Sequence, residues 1–367
     1  MNGLNRMQIL IISPEPWNGH FVSKHHYAVT LSQEGYDVYF LNPPVHYLRE
    51  TNIQKTKYKN LWEVSAPQVA KGLRFYPRFL RNYVEKKWLE SLEKKLGKKL
   101  TTIWLFENSR FYDMDFAGER TKIYHQVDLN QNFHVKIASK TADICFCTTN
   151  YIMDEISLYT KKIYKIHHGV ELVKNSLALL ETQQNHFKNK RINVAYIGNL
   201  DMRYLDIDLL VNVVDKYENI HFHFVGGYTN KTLLYQQLKE KQNICWWGKI
   251  ESERIPTVLS LCDILLVCYQ TRYFVDQASP HKMMEYFASG KVTVSTYTDE
   301  YKDKRELLEM VDDSSEYIVR FDEVVNDLAF YNSDEKQKMR RTFAKEHSYE
   351  KQLEKIEEYL KEYHLSL

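Results

Sequence analysis

One short stretch gathers the residue types that bind a phosphorylated ligand. It reads Ser279-Pro280-His281-Lys282-Met283-Met284-Glu285-Tyr286-Phe287-Ala288-Ser289-Gly290-Lys291. Serine followed by proline predicts a helix start, with Ser279 as the N-cap and Pro280 at the first helical position. Gly290 is the matching stop. Such a start offers free backbone N–H groups and a partial positive charge to an anion. Lys282 adds a full charge within the first turn, and Glu285 lies where a carboxylate accepts hydrogen bonds from ribose hydroxyls. A phosphate at the cap and a sugar beside the first turn together fit a nucleoside diphosphate. The other reading of the same residues is an ordinary capped helix whose Lys282 and Glu285 are solvated.

The elements that must position this stretch alternate. Gln8–Ile12 is a continuous apolar run, as a strand buried on both faces requires. A helix over Ser23–Gln33 follows, with Gly35 as its stop, and then a strand over Val38–Leu41. Further strands are predicted at Ile103–Phe106, Lys122–His125, Ile144–Cys147 and Ile163–Ile166. The polar run Glu181–His186 reads as a linker. The alternation restarts with strands at Asn193–Ile197, His221–Val225, Ile244–Trp247, Ile264–Cys268 and Val292–Ser295. Helices fall at Asp208–Lys216 and Glu251–Leu261, and Ser348–Tyr363 is a charged amphipathic helix with no strand after it. The fold class is α/β, with two doubly wound domains in tandem. In such sheets ligands bind beyond the carboxyl ends of the strands, and the Ser279 segment follows one of them.

Composition narrows the classes. The 367 residues suffice for two domains, and 44% hydrophobic with 14% aromatic content supplies two cores. A formal charge of +2 argues against a nucleic-acid-binding surface. The 5 cysteines do not read as a secreted disulfide scaffold. No signal peptide or membrane span is recognisable, which predicts a cytoplasmic protein. No Gly-x-Gly-x-x-Gly follows the first strand, and no phosphate loop or His-Glu-x-x-His helix occurs. Asp206 and Asp208 read as helix-start carboxylates rather than metal ligands. Cys145 and Cys147 read as small buried strand residues.

The stretch Ser-Pro-x-Lys-x-x-Glu-Tyr-x-Ala-x-Gly-Lys resembles the donor-binding segment of GT-B glycosyltransferases, especially the glycosyltransferase family 4-like group. Tyr196-Ile197-Gly198-Asn199-Leu200 resembles the opening strand and glycine loop of that family's C-terminal domain. Arg203 stands where the family often has a phosphate-binding base. Val225-Gly226-Gly227 is similar to the family's glycine turn, and Trp247-Gly248-Lys249-Ile250 to the loop that usually contacts the nucleobase. Val127-Asp128, Ala142-Asp143 and His168-Gly169-Val170 follow the family's order in the first half. The resemblance covers most of the chain apart from about Thr51 to Leu100. One position departs from it: the second glutamate that touches the donor sugar in many members is Gln277 here, next to Asp276.

The resemblance implies two Rossmann-like domains of the GT-B type facing a central cleft. Residues 1–175 would bind the acceptor, residues 190–345 the nucleotide sugar, and the helix at 346–367 would pack back on the first domain. The donor would be a nucleoside diphosphate sugar, with uridine as the family's usual base, and no metal or other cofactor. Its binding set would be Gly198, Asn199, Arg203, Gly227, Gly248, Ile250, Ser279, Pro280, His281, Lys282 and Glu285. Lys282, Arg203 and the helix start would stabilise the departing diphosphate. Asp128 is the candidate acceptor-side carboxylate, as base or orienting group; its other reading is the N-cap of a helix beginning at Leu129. Gly19 and His20, on the first strand–helix loop, are acceptor-side candidates, and His20 is a second catalytic candidate.

The acceptor would be a glycan or a lipid-linked saccharide of bacterial surface polysaccharide synthesis. The run Arg74-Phe75-Tyr76-Pro77-Arg78-Phe79-Leu80-Arg81-Asn82-Tyr83 mixes cations with aromatics, and a lysine-rich stretch follows. A face of this kind suits an anionic membrane at the inner side of the cell. Its other reading is a solvated helix with Glu85, Glu90 and Glu93 interspersed. Two further functions remain open from the sequence: a nucleotide-sugar epimerase of the same fold, and a catalytically silent partner subunit.

Overall fold

A computed structural model describes residues 6–19, 21–129, 131, 133–172, 187, 191–275 and 279–367. The chain divides into two compact units, Met1–His168 with Tyr349–Leu367, and Gly169–Ser348. The stretch read as a linker, Glu181–His186, lies outside the described residues.

The strands of the first unit are β1 (Gln8–Ile12), β2 (Asp37–Leu41), β3 (Asn52–Lys55), β4 (Leu61–Ser65), β5 (Thr102–Leu105), β6 (Thr121–Gln126), β7 (Ile144–Cys147) and β8 (Ile163–Lys165). Among the described residues they form one sheet in the order β3-β4-β2-β1-β5-β6-β7-β8. All pairs are parallel except β3–β4. Its helices are α1 (Ser23–Gln33), α2 (Arg78–Leu96), α3 (Val135–Thr141) and α4 (Asn150–Ser157). Strand β1 shows why its run is apolar throughout. Leu10 and Ile12 join the core that includes Leu89 and Leu92 of α2. Ile9 and Ile11 join the opposite core with Tyr27 and Leu31 of α1. Helix α1 ends as expected: Gly35 takes φ +98° and the Tyr36 N–H reaches the Leu31 carbonyl at 3.1 Å.

The second unit contains β9 (Asn193–Ile197), β10 (His221–Val225), β11 (Ile244–Gly248), β12 (Ile264–Val267), β13 (Val292–Ser295) and β14 (Glu309–Met310). They form a parallel sheet in the order β11-β10-β9-β12-β13-β14. Its helices are α5 (Ile207–Lys216), α6 (Leu233–Leu238), α7 (Ile255–Leu261), α8 (Lys282–Ser289), α9 (Tyr317–Asn326), α10 (Leu328–Tyr331) and α11 (Asp334–Glu346). Asp206 caps α5, its carboxylate accepting the Leu209 N–H at 3.1 Å, as read from the sequence. The helix expected over Glu251–Leu261 is instead a 3-10 turn at Ser252–Arg254 followed by α7. The strand order reverses between β9 and β12, which is where an open α/β sheet places its ligand crevice.

The last helix, α12 (Tyr349–Glu362), belongs to the first unit. Its Tyr349, Leu353, Ile356 and Leu360 are buried in the core shared with α1. The spacing of these residues is that of one helix face.

Candidate functional site

Three glycine turns close the carboxyl ends of β9, β10 and β11. Gly198 takes φ +147° and Gly226 φ +153°, conformations that side-chain-bearing residues avoid. A Cβ on Gly226 would lie 1.8 Å from the Gly198 carbonyl oxygen, so the two turns touch backbone to backbone. The turns are laced together. Gly198 N–H donates to Val225, Gly226 N–H to Gly248 (both 2.9 Å) and Leu200 N–H to Gly227 at 3.3 Å. Gly227 itself is exposed, and a Cβ there would meet nothing within 4 Å. These three amides are therefore engaged with one another rather than offered to an anion.

Lys282 approaches the same turn. Its Nζ would be 3.0 Å from a Cβ on Gly198, so the lysine needs a glycine there. The ammonium lies 3.7 Å from the Tyr196 ring centroid and 5.0 Å from that of Tyr269. It is buried and has no hydrogen-bond partner among the described residues. Burial lowers its pKa to about 7. This overturns the reading of Lys282 as a solvated helix residue, and equally the expectation of an unmodified full charge. Tyr196 and Tyr269 stand at the ends of buried strands and read from sequence as core. Their only signal was an aromatic where a branched aliphatic would have packed as well.

The helix that carries Lys282 begins later than expected. Its N-cap is His281, in helical conformation, with no side-chain cap. Ser279 does not cap it; its buried hydroxyl neighbours that of Tyr301. Pro280 is buried and starts the turn by accepting the Met283 N–H at 3.0 Å. Gly290 ends the helix in the left-handed region at φ +80°, as expected. Glu285 is half-buried, and burial pushes its carboxyl up to about 7 against the attraction of Lys282. Tyr286 fixes the helix to the sheet. Pairing of β9 with β12 ends at Ala195–Leu265, and beyond it the Tyr286 hydroxyl accepts from the Ile197 N–H at 2.9 Å. The same hydroxyl donates to the Leu266 carbonyl at 3.3 Å.

The remaining candidates are less concentrated. Arg203 is exposed; it donates to the Tyr204 hydroxyl at 2.6 Å and lies 4.6 Å from that ring. Asn199 is exposed and turns its Oδ1 to the Asp201 N–H at 3.0 Å. Gly248 takes φ +66°, and half-buried Ile250 packs against the apolar cluster that contains Met283 and Met284. Asp276 and Gln277 lie outside the described residues.

In the first unit, Asp128 is exposed just after β6, and its carbonyl accepts from Gln126 Nε2 and Gln131 N–H, both at 3.2 Å. No helix begins at Leu129; α3 starts at Val135, so the cap reading of Asp128 is lost. Gly19 is exposed in the turn after β1, its N–H held by the Pro16 carbonyl at 2.9 Å. His20 lies outside the described residues. Cys145 and Cys147 are buried, and burial pushes the Cys145 thiol up. Among the described residues no group of three or more His, Cys, Asp or Glu side chains is placed to hold a metal ion.

Residues 191–327 match the family model described as Glycosyl transferases group 1. A Bacillus subtilis protein, TuaH, named as a glycosyltransferase of teichuronic acid biosynthesis, is 24% identical over 161 residues. That match covers 42% of this chain and 40% of the relative's own length. Among solved structures, sucrose-phosphate synthase from Thermosynechococcus elongatus is similar with a TM-score of 0.70 at 14% identity. It covers 98% of this chain and 99% of that one. The HepE protein of Anabaena, solved in complex with UDP and glucose, gives a TM-score of 0.70 at 12% identity, covering 97% and 100%. The chain has the GT-B glycosyltransferase fold and carries a glycosyl transferases group 1 domain over residues 191–327.

Proposed function

We propose that this protein transfers a sugar from a nucleoside diphosphate donor, with uridine as the base, to a saccharide acceptor of bacterial surface polysaccharide synthesis. The observation that carries the reading is the buried Lys282 ammonium beside the Gly198 turn, with no hydrogen-bond partner among the described residues. A buried cation lacking such a partner calls for an anion. A pyrophosphate supplies one, and the first amides of α8 lie beside it.

The chemistry follows from where charge develops. As the bond from the sugar's anomeric carbon to the diphosphate breaks, charge accumulates on the departing phosphate oxygen. Lys282 and the start of α8 stabilise that charge in place, without reorganisation. Arg203 adds a mobile cation from its exposed position. Glu285 holds the ribose hydroxyls, and Gly248 with Ile250 borders the base. Asp128 takes the proton of the acceptor hydroxyl or orients it. No metal is assigned to any step of this proposal; chelator treatment that abolishes turnover overturns that part of it.

We extend the proposal to a lipid-linked acceptor met at an anionic membrane. Phe75, Phe79 and Tyr83 are 76%, 76% and 59% exposed, too much apolar surface for chance solvent contact. Phe79 and Tyr83 lie one turn apart on α2, with exposed Arg74, Lys86 and Lys87 around them. Among the described residues no helix is long and apolar enough to cross a membrane. Each cation near an anionic surface adds about 1 kcal/mol. Sedimentation with phosphatidylglycerol vesicles at low salt should exceed that with phosphatidylcholine vesicles, and Phe79→Ser with Tyr83→Ser should remove the difference. Equal binding to both overturns the membrane part.

The transferase reading is tested by slow release of UDP from UDP-sugars without acceptor. Release should occur with one member of a UDP-sugar panel and collapse in Lys282→Ala and Glu285→Ala. Conversion of the donor into an epimer without release favours the epimerase. Nucleotide binding with neither release nor conversion favours the silent subunit.

A further inference from the structure

We propose that the first unit carries a sugar-binding pocket of its own, walled by Trp88 and Phe111 and floored by Arg81 and Glu85. A cavity of about 440 Å³ opens there, lined entirely by residues between Leu41 and Tyr112. It sits past the carboxyl ends of β2, β4 and β5, the edge on which doubly wound sheets bind ligands. Its size is that of a small-molecule site and has room for a sugar ring.

The floor is polar and incompletely paired. Glu85 is 2% exposed, and the Phe111 N–H donates to its carboxyl. Its Oε2 is buried with no hydrogen-bond partner among the described residues. Arg81, one turn earlier on α2, is 6% exposed. It donates from Nη1 to the Tyr112 hydroxyl and from Nη2 to Asp113 at 3.2 Å, while its Nε has no such partner. Leaving such groups unmet costs about 1–3 kcal/mol each, so a site that keeps them is built for a ligand.

The loop that completes the pocket is strained and held. Phe111 takes φ +54°, an outlier for a bulky residue. Arg110 anchors the loop by bonding Glu107 at 2.6 Å and the Ser13 carbonyl at 2.8 Å. The strain puts the Phe111 ring 4.9 Å from Trp88, forming an aromatic wall, and its N–H on Glu85.

The ligand class follows from what the floor lacks. Glu85 Oε2 needs a donor and Arg81 Nε needs an acceptor. A hydroxyl is both. A phosphate or carboxylate cannot donate and is repelled by Glu85; an ammonium cannot accept; a hydrocarbon does neither. The aromatic wall takes the C–H face of a ring. Hydroxyls on a ring with an apolar face describe a saccharide. That this sugar belongs to the acceptor rests on the transferase reading; the carbohydrate chemistry of the pocket does not.

Methyl glycosides of common hexoses, titrated at millimolar concentration into the full chain, test the assignment through tryptophan emission. One of them should give a saturable change that is absent in Trp88→Phe. Glu85→Gln should weaken binding roughly tenfold, the loss of one hydrogen bond to a charged group. Preservation of the UDP-induced melting shift in that variant shows that it is folded. No saturable change with any glycoside overturns the proposal, as does a response to farnesol alone, which would make the cavity a lipid slot. A UDP shift without glycoside binding removes this pocket and leaves the transferase reading. Glycoside binding without any UDP shift does the reverse.

Discussion

The Lys282 ammonium lies 3.7 Å from the centroid of the Tyr196 ring, close enough for the aromatic face to replace part of the water that burial removes. The replacement is incomplete, because the pKa falls from 10.5 to about 7. Lys282 is thus a cation held at the margin of its charge, and a bound diphosphate would restore it. Affinity for UDP should then be full below about pH 7 and decline as pH rises above it, with proton uptake on binding. Calorimetry in buffers of different ionisation enthalpy reads this directly. Binding without proton uptake above pH 7 contradicts it.

The same two groups leave a signature in stability. The unfolded chain holds more protons on Lys282 than the folded one between about pH 7 and 10.5, so this group makes stability rise with pH across that window. Glu285 is raised from 4.5 to about 7, so the folded chain holds more protons there between those values. Its contribution is present at low pH and lost as pH rises to about 7. Urea unfolding should show Lys282→Met flattening the upper limb and Glu285→Gln the lower. Lys282→Met should also unfold at higher urea near pH 7 while failing to bind UDP, since it removes a buried charge. Unchanged limbs in both variants would contradict the assigned burial.

Gly226 and Gly227 are adjacent yet should answer differently to one methyl group. A Cβ on Gly226 would meet the Gly198 carbonyl at 1.8 Å, so Gly226→Ala should destabilise the unit by several kcal/mol or prevent its folding. Gly227→Ala meets nothing within 4 Å and should leave stability within about 0.5 kcal/mol. If the nucleotide lies over this turn, Gly227→Ala still weakens UDP binding. Melting curves with and without UDP separate the two effects.

Tyr286→Phe removes the hydroxyl that joins Ile197 to Leu266 and leaves the buried Ile197 N–H unmet. The expected loss is about 1–3 kcal/mol of stability, measured by urea unfolding. A smaller change in melting temperature than in UDP affinity would show that the bridge also sets the position of α8.

Much of this frame was readable before any coordinates. The runs Gln8–Ile12, Ile144–Cys147, Asn193–Ile197, His221–Val225 and Val292–Ser295 are apolar or alternating because two faces of a sheet bury them, and each is a strand with those bounds. Strand β3, Asn52-Ile53-Gln54-Lys55, was not legible, because an edge strand with three exposed residues carries no burial pattern. Helix α2 was read as a solvated face, yet Arg81, Glu85 and Glu93 are buried, the last paired with Arg120 at 2.6 Å. Only the loop at Asn108–Asp113, distant in sequence, supplies their partners. The burial of Lys282 was hidden for the same reason: Tyr196 and Tyr269 come from separate strands, and nothing near residue 282 announces them. Ser279 misled because a favourable cap residue can be claimed by another neighbour, here Tyr301.

The central claim is that Lys282 and the start of α8 receive a nucleoside diphosphate. Thermal melting of the full chain with a panel of nucleotides, with and without chelator, tests it most directly, because a ligand of the folded state raises stability by mass action. The account predicts a shift with UDP that survives chelation and disappears in Lys282→Ala. No shift with any nucleoside diphosphate, or a shift only with nicotinamide dinucleotides, would contradict it.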